Sequence, residues 1–284
     1  MMLEVKQLRL AYGSHVLAPD VSFHLQGGEC VLLAGANGCG KSTLLKTLAG
    51  EGIVSQTASA SLRPLPLRNA PSDDVAAVGP SRSGKDFPPI IPEGIPALTG
   101  HGRGWPWVCD TTPSPAKCIL IPTGIPKVKG FTVEEFVRTG CFRESDWAGR
   151  LSAETERRMQ GALDLLGLRP QAGQDIATLS DGEFQKACIA VGLTRRADVL
   201  LLDEPTAFLD VENRVMVLRT LRKVAQETGM AVLFSSHDLH DALQVVHRVL
   251  AFTPAGTFLE STQKNRREVL QAAFPVLDSS LRSE

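Results

Sequence analysis

The sequence of 284 residues lacks both a surplus of charge of either sign and a long apolar run. Its formal net charge is −1 and it has no basic stripe, so nucleic acid is not expected as a partner. No window holds about 18 uninterrupted apolar residues, the length that a membrane span needs. Residues 1–6 also lack the apolar core of a cleavable signal peptide. We therefore expect a soluble domain.

The six cysteines lack the spacing of a metal site or of a disulfide framework. They stand at positions 30, 39, 109, 118, 141 and 188. Such a set suits a reducing cytoplasm. Cys39 lies inside a glycine-rich loop and is predicted to be open to alkylation.

Residues 35–43 read Gly-Ala-Asn-Gly-Cys-Gly-Lys-Ser-Thr and match the phosphate-loop pattern G-x-x-x-x-G-K-[ST]. An apolar run precedes this loop and helically spaced leucines follow it, which is the order that the pattern requires. The glycines would free backbone N–H groups for phosphates, Lys41 would reach the β- and γ-phosphates, and the Ser42 hydroxyl would ligate Mg²⁺. The residues predicted to hold the nucleotide here are Gly35, Asn37, Gly38, Gly40, Lys41, Ser42 and Thr43.

Two later apolar runs, at residues 199–202 and 230–234, are predicted strands that end in polar residues. In α/β proteins the carboxyl ends of such strands are where ligands bind. Asp203 suits Mg²⁺, and Glu204 suits the polarisation of an attacking water. His237 is predicted to lie at the same edge and touch a γ-phosphate, although a lone histidine in a turn is more often structural.

Residues 179–186 read Leu-Ser-Asp-Gly-Glu-Phe-Gln-Lys and are the most informative segment of the chain. Ser180 followed by Glu183 is a capping box, which predicts a helix N-terminus. The N–H groups of a helix start bind anions, and Gly182 would let a ligand approach the backbone. For these residues taken alone, an ordinary helix start is an equal alternative.

The order of these segments resembles that of the nucleotide-binding subunits of ATP-binding cassette (ABC) transporters, over about residues 2–50 and 117–255. The segments at residues 179–183 and 203–210 are similar to those of ATPases from iron–siderophore, haem and cobalamin importers. The resemblance implies an α/β P-loop NTPase fold of the ABC ATPase type, with an antiparallel β portion and a small α-helical subdomain. It also implies ATP and Mg²⁺ as ligands, with Ser42 and Asp203 at the metal and Glu204 and His237 as catalytic residues.

The resemblance further implies partners. Tyr12, the only tyrosine, would stack on adenine, while Ser180 and Gly182 would contact the γ-phosphate of ATP held by a second copy of the chain. Asp210 would join the two sites of this head-to-tail dimer. Integral-membrane permease subunits, and indirectly an external substrate-binding protein, complete the assembly. The chain would then be peripheral, on the cytoplasmic side of the cell membrane.

Two departures from the family accompany this resemblance. Thr123, which is shorter, stands where the family has a glutamine that touches Mg²⁺. The 73 residues that follow Gly50, up to and including Thr123, are nearly twice what the family needs. Thirteen of the eighteen prolines lie between Pro64 and Pro126, and proline at this density interrupts helices and sheets. We predict a mostly irregular, partly disordered insertion at about residues 57–115, whose Trp105 and Trp107 dock on the host domain or, as the alternative, form a partner surface.

The predicted organisation is an ABC ATPase domain at residues 1–255 and a helical tail at residues 256–284. The helical subdomain is predicted at about residues 126–195. Strands are expected around residues 3–10, 16–25, 30–34, 199–202, 230–234 and 248–252. Helices are expected at about residues 42–49, 132–139, 213–227 and 264–274, with others capped by Ser152, Ser180 and Asp238. Thr132 and Glu135 form a second capping box, at the start of the helix predicted at residues 132–139.

Two alternatives to a transporter subunit remain at this stage. One is an ATPase of the same fold that serves a soluble assembly, such as iron–sulfur cluster biogenesis. The other is a regulatory module that binds ATP with little turnover, which Thr123 and the insertion suggest and which the intact Glu204 and His237 argue against. A P-loop kinase is disfavoured because it has no use for the segment at residues 180–183.

Overall fold

Two β-sheets form the framework of the chain in its computed structural model, which describes residues 2–12, 15–51, 63–64, 117–262 and 264–275. The described strands are β1 (Met2–Tyr12), β2 (His15–Gln26), β3 (Cys30–Ala34), β4 (Arg63–Pro64), β5 (Cys118–Ile121), β6 (Val199–Leu202), β7 (Ala231–Ser235), β8 (Arg248–Phe252) and β9 (Phe258–Glu260). The larger sheet has the order β5-β6-β7-β3-β8-β9, and the smaller sheet has the order β2-β1-β4.

Seven α-helices lie within the described residues, and four of them begin after a residue whose side chain caps the helix. They are α1 (Lys41–Leu48), α2 (Val133–Arg138), α3 (Ala153–Leu165), α4 (Asp181–Thr194), α5 (Val211–Thr228), α6 (Leu239–Val245) and α7 (Arg266–Ala273). Thr132 and Ser180 form the predicted capping boxes, and the Ser152 side chain accepts a hydrogen bond from the backbone of the first turn of α3. Within the described part of the chain, no helix has the length and apolarity that crossing a bilayer requires.

The larger sheet is parallel except for β9, which pairs antiparallel with β8. Its parallel strands are buried along their whole length, as expected when both faces of a sheet are covered. Leu32 of β3 faces a core that includes α4 and α5, whereas its neighbours Val31 and Leu33 face a core that includes α1 and the smaller sheet. The predicted α/β class, with a largely parallel sheet and an antiparallel portion, is confirmed.

The antiparallel portion is the hairpin of β1 and β2. In β2 the buried residues Val21, Phe23 and Leu25 alternate with more exposed ones, which is the pattern of a strand with one covered face. In β1 the register shifts between Val5 and Leu8, and Gln7 there has a positive φ of 51°. This bulge lets both halves of β1 direct their apolar side chains into the same core.

A separate set of helices stands between β5 and β6 in the sequence. Helix α4 packs on both α2 and α3, and the rings of Phe136 and Phe184 lie 5.8 Å apart. The limits predicted for this subdomain, and the domain boundary at residue 255, remain predictions. Strand β9, which follows residue 255, continues the larger sheet.

The structure corrects or leaves open several local predictions. Asp238 precedes α6, but its carboxylate pairs with Arg214 and does not cap the helix. Helix α2 ends at Arg138 and continues as a 3-10 helix, Thr139–Glu144, one of three 3-10 helices described. Apart from β4, the predicted insertion at residues 57–115 lies outside the described residues, as do Trp105 and Trp107.

The packing of the 3-10 helix against α4 gives a stability prediction. An added Cβ at Gly140 would lie 2.6 Å from the Val191 carbonyl oxygen. Gly140→Ala should therefore lower the free energy of unfolding by about 1–3 kcal/mol, since the backbones must move apart. Urea unfolding followed by circular dichroism measures this change.

Gly161 in α3 provides the matched control, because an added Cβ there meets nothing within 4 Å. Gly161→Ala should raise the free energy of unfolding by about 0.5–1 kcal/mol, since alanine is the better helix former. Equal effects of the two substitutions would contradict the packing described here.

Candidate functional site

The loop between β3 and α1 holds a backbone conformation that only glycine adopts easily. Gly35 and Gly40 have φ values of 148° and 112°. A Cβ at Gly35 would lie 2.6 Å from Cys39 Sγ, and one at Gly40 would lie 3.0 Å from a Leu10 methyl carbon. The loop is therefore folded tightly against β1 and the core, and it leads directly into α1.

Lys41, the first residue of α1, carries a buried positive charge. The residue is only 6% exposed, and its ammonium donates to the carbonyl oxygens of Gly35 at 2.8 Å and Ala36 at 3.0 Å. An ammonium has three protons, so these bonds leave one donor free. No carboxylate of the described residues pairs with it. A buried cation without a counter-ion fits an anionic ligand such as a phosphate.

A cavity of about 380 Å³ opens in front of this loop. This volume lies within the usual range for small-molecule sites. Eight of the residues predicted from the sequence line it, together with two that were not predicted. The lining residues are His15, Leu17, Asn37, Gly38, Gly40, Lys41, Ser42, Thr43, Glu204 and His237.

Glu204 and His237 meet at this cavity although they lie on different strand ends. The Nε2 atom of His237 is 2.5 Å from Glu204 Oε1. Glu204 follows β6 with a positive φ of 48°, a conformation that is strained for a residue other than glycine. The parallel register of β6 and β7 brings the two segments to the same edge, as the sequence predicted.

Asp203 lies within a hydrogen-bond network that joins three strands. The Ser235 hydroxyl at the end of β7 donates to Asp203 Oδ1 at 2.8 Å. The Thr123 hydroxyl, which follows β5, donates to the Asp203 carbonyl oxygen at 2.6 Å. Thr123 thus contacts the backbone of the acidic strand end, a role that the sequence did not reveal.

Residues 179–186, here called the signature segment, are not part of the cavity lining, and α4, which begins within them, is called the signature helix. In the capping box, the Ser180 hydroxyl and backbone N–H both donate to Glu183 Oε2, at 2.8 and 3.0 Å. These hydrogen bonds lower the pKa of the Glu183 carboxyl. Ser180 is exposed at the start of α4, so its predicted contact with a phosphate requires a ligand from outside this cavity.

Gly182 is explained by close packing within the chain. A Cβ at this position would lie 2.8 Å from the side chains of Asn213 and Met216 on α5. Asn213 in turn donates its backbone N–H and side-chain amide to the two carboxylate oxygens of Asp210, at 2.8 and 3.0 Å. Asp210 is therefore the N-cap of α5 and lies one side chain away from the signature helix.

The remaining acid of the signature, Asp181, has a cationic partner. Lys127 lies with its Nζ atom 2.8 Å from Asp181 Oδ1 and 2.7 Å from the Leu179 carbonyl oxygen. The same ammonium is 5.7 Å from the centre of the Phe184 ring. Both acids of this helix start are thus engaged by groups of the same chain.

Tyr12 belongs to β1, and its side chain lies outside the described residues. The backbone places it opposite His15 across the hairpin, and His15 lines the cavity. His15 and Leu17 were missed as site residues because no motif marks them. The position of His15 opposite Tyr12 in the hairpin was an available signal for His15 alone. Ser235 was missed because it lies 32 residues from Asp203 in the sequence, and its hydroxyl contacts that carboxylate only in the folded chain.

The family model described as "ABC transporter" matches residues 18–61 and 117–207 of the chain. Among curated relatives, the iron(3+)-hydroxamate import ATP-binding protein FhuC of Bacillus subtilis is 29% identical over 260 residues, covering 92% of this chain and 82% of the relative. An uncharacterised ABC transporter ATP-binding protein of the same organism, YxlF, is 30% identical over 253 residues, covering 88% of this chain and 67% of the relative.

Solved structures agree on the fold. A chain of an ABC transporter described as of the metal-chelate type, in an inward-facing conformation, matches with a TM-score of 0.68 and 22% identity, covering 96% of this chain and 88% of that one. An ATP-binding subunit of an ABC transporter matches with a TM-score of 0.61 and 22% identity, covering 98% and 97% of the two chains. The predicted fold of the ABC ATPase type is confirmed.

The environment of Cys39 gives a prediction about its reactivity. Burial raises the pKa of the Cys39 thiol, and the nearby Lys41 offsets only part of this effect. Because the thiolate is the reactive form, alkylation by iodoacetamide should be slow at neutral pH and should rise about tenfold per pH unit up to the raised pKa. ATP should slow the reaction, since Cys39 lies within the loop that lines the cavity.

Peptide-resolved mass spectrometry over a pH series measures the rate at each cysteine separately. Cys30, Cys118 and Cys188 are internal controls, because burial raises the pKa of each to about 12 and they should remain unmodified in the folded protein. A rate at Cys39 that is independent of both pH and ATP would contradict this description of the loop.

Proposed function

The chain belongs to the ABC transporter family of ATP-binding proteins and is an ATPase, and on that premise we propose that it is the ATP-hydrolysing subunit of an importer for iron–siderophore complexes. The observation that carries the hydrolytic part is the cavity that joins the buried Lys41 to Glu204 and His237. It combines a cation for phosphate with a carboxylate and an imidazole for chemistry.

The charge and the lining of this cavity support ATP as its ligand. The triphosphate would lie along the loop between β3 and α1, where Lys41 has a free donor and the loop turns sharply at its glycines. Tyr12 would stack on the adenine from the hairpin side. His15 and Leu17, which line the cavity, support a nucleoside position next to that hairpin.

Glu204 and His237 would divide the work of hydrolysis. Glu204 orients and deprotonates the attacking water, and His237 contacts the transferring γ-phosphoryl group. Their separation of 2.5 Å allows one group to hold the other in position before the substrate arrives. Mg²⁺, held by Ser42 and Asp203, would neutralise charge on the phosphates.

A second copy of the chain would complete each site. Ser180 and Gly182 are absent from the lining of the phosphate cavity, which supports the proposal that they would contact the γ-phosphate held by a partner subunit. Phe208 and Val211, which flank Asp210, leave 89% and 65% of their surface exposed. An apolar surface at this place supports a head-to-tail dimer in which Asp210 lies between the two sites.

The helices between β5 and β6 would dock the integral-membrane permease subunits. Phe142 and Trp147 are strongly exposed there, and the Asp146 carboxylate accepts from the backbone N–H groups of Ala148 and Arg150, which orders the loop that bears Trp147. Large exposed apolar side chains on an ordered loop suit a protein contact. The chain would thereby be peripheral on the cytoplasmic side of the membrane, and an external substrate-binding protein would be an indirect partner.

The cargo proposal is supported by the names of several relatives. Besides the FhuC protein, these include petrobactin import and achromobactin transport ATP-binding proteins from Bacillus anthracis and Dickeya dadantii. The functions in these names favour a transporter subunit over the alternative of an ATPase that serves a soluble assembly. The ATPase itself does not contact the cargo, so the site chemistry would be the same for haem or cobalamin.

Replacement of the proposed base tests the mechanism. Glu204→Gln should slow steady-state phosphate release by about 10²-fold or more, because the amide cannot accept a proton. Equilibrium binding of ATP should remain, and trapped ATP should favour the dimer in analytical ultracentrifugation.

Glu227→Gln is the matched control, since Glu227 is an exposed acid in the last turn of α5 and, among the described residues, pairs only with Lys223. It should hydrolyse ATP at the parent rate. If Glu204→Gln also turned over at that rate, another group would have to be the base.

A growth experiment tests the cargo. Deletion of the gene should impair growth when a ferric siderophore is the limiting iron source, and plasmid-borne parent protein should restore it while Glu204→Gln should not. Growth with limiting haem or cobalamin, measured in parallel, separates the related cargoes. Normal growth on all three sources, in a strain without a redundant system, would rule out this cargo class and leave the ATPase assignment standing.

A further inference from the structure

Ser235, the last residue of β7, is completely buried yet carries a hydroxyl. The hydroxyl donates to Asp203 Oδ1 at 2.8 Å and accepts from the backbone N–H of Glu204 at 2.9 Å. One oxygen atom thus connects the side chain of one acidic residue with the backbone of the next. It is the only hydroxyl among the described residues that hydrogen-bonds to both acids.

We propose that Ser235 is a positioning residue for ATP hydrolysis, which fixes the Asp203 carboxylate toward the metal and holds the Glu204 backbone in its strained conformation. This inference rests on the proposed function, in which Asp203 is a metal ligand and Glu204 is the base.

The first half of this role follows from the hydrogen-bonding capacity of the hydroxyl. Its single proton goes to Oδ1, which sets the rotation of the Asp203 carboxylate and leaves Oδ2 without a partner among the described residues. Thr123 cannot replace this contact, because its hydroxyl reaches the Asp203 carbonyl oxygen and not the carboxylate. Groups that orient a metal ligand in this manner typically change metal affinity or activity by about 10–100-fold when removed.

The second half concerns the backbone of Glu204. A positive φ of 48° is unusual for glutamate, and such a conformation persists only where surrounding contacts hold it. The hydrogen bond from the Glu204 N–H to Ser235 is such a contact. The same turn directs the Glu204 side chain to within 2.5 Å of His237, so a change at Ser235 should alter both the metal and the base.

The test separates this role from ordinary stabilisation. Ser261 supplies a matched control because it is equally buried and accepts from the Val249 N–H at 2.7 Å, away from the cavity. The affinity of each protein for a fluorescent ATP analogue is measured with EDTA and with Mg²⁺, which gives the gain in affinity due to the metal. Ser235→Ala should reduce this gain about tenfold or more and also lower kcat. Its affinity in EDTA should be unchanged, and Ser261→Ala should keep the parent gain.

Ser235→Thr, which restores a hydroxyl at the same place, should recover most of the gain, and Ser235→Cys, a weak donor, should not. If Ser235→Ala does not fold, the cysteine variant decides by the same measurement. A Ser235 variant without a hydroxyl that keeps the full metal-dependent gain would overturn the inference, as would equal losses in the Ser235 and Ser261 variants. Parent protein without any metal-dependent gain would instead contradict the proposed function, and this inference with it.

Discussion

The rest of the site depends on the two hydrogen bonds that hold the buried ammonium of Lys41 in the loop. Two backbone carbonyl groups hold it inside the loop that connects β3 to α1, and no carboxylate among the described residues neutralises it. Carbonyl dipoles compensate a buried cation only in part, so the binding of an anion should stabilise the loop. The tight turn at Gly35 keeps those carbonyls close to the ammonium, so the conformation of the loop and the affinity for phosphate have the same physical origin.

The central sheet adds reacting groups to this cation. Strands β5, β6 and β7 lie side by side in parallel register, and the polar residues Thr123, Asp203 and Ser235 lie at or just beyond their carboxyl ends. The hydroxyl groups of Thr123 and Ser235 then tie Asp203 from opposite sides. These two hydrogen bonds connect the segment that follows β5 and the end of β7 to the acidic residue at the end of β6.

Much of this arrangement could be predicted from the sequence because the relevant signals are local. Alternating apolar residues predict β2, and capping boxes at Thr132 and Ser180 predict the starts of α2 and α4. Contacts between distant segments could not be predicted in the same manner. The Asp238 carboxylate pairs with Arg214, which lies 24 residues away, and not with the helix that it precedes.

Gly182 illustrates the same limit, since its reason for being glycine is the approach of α5 and not only that of a ligand. The roles of His15 and Ser235 likewise depend on tertiary contacts and left no local signature. Residue identity thus indicated the chemistry of the site, and the topology of the sheet determined which groups meet.

The most direct test of the central claim is steady-state phosphate release by the purified chain in the presence of MgATP, measured as a function of protein concentration. We expect a rate per subunit that rises with protein concentration and then saturates, because each site would need the signature segment of a second copy. Binding of ATP without phosphate release, at concentrations where dimers form, would contradict the account.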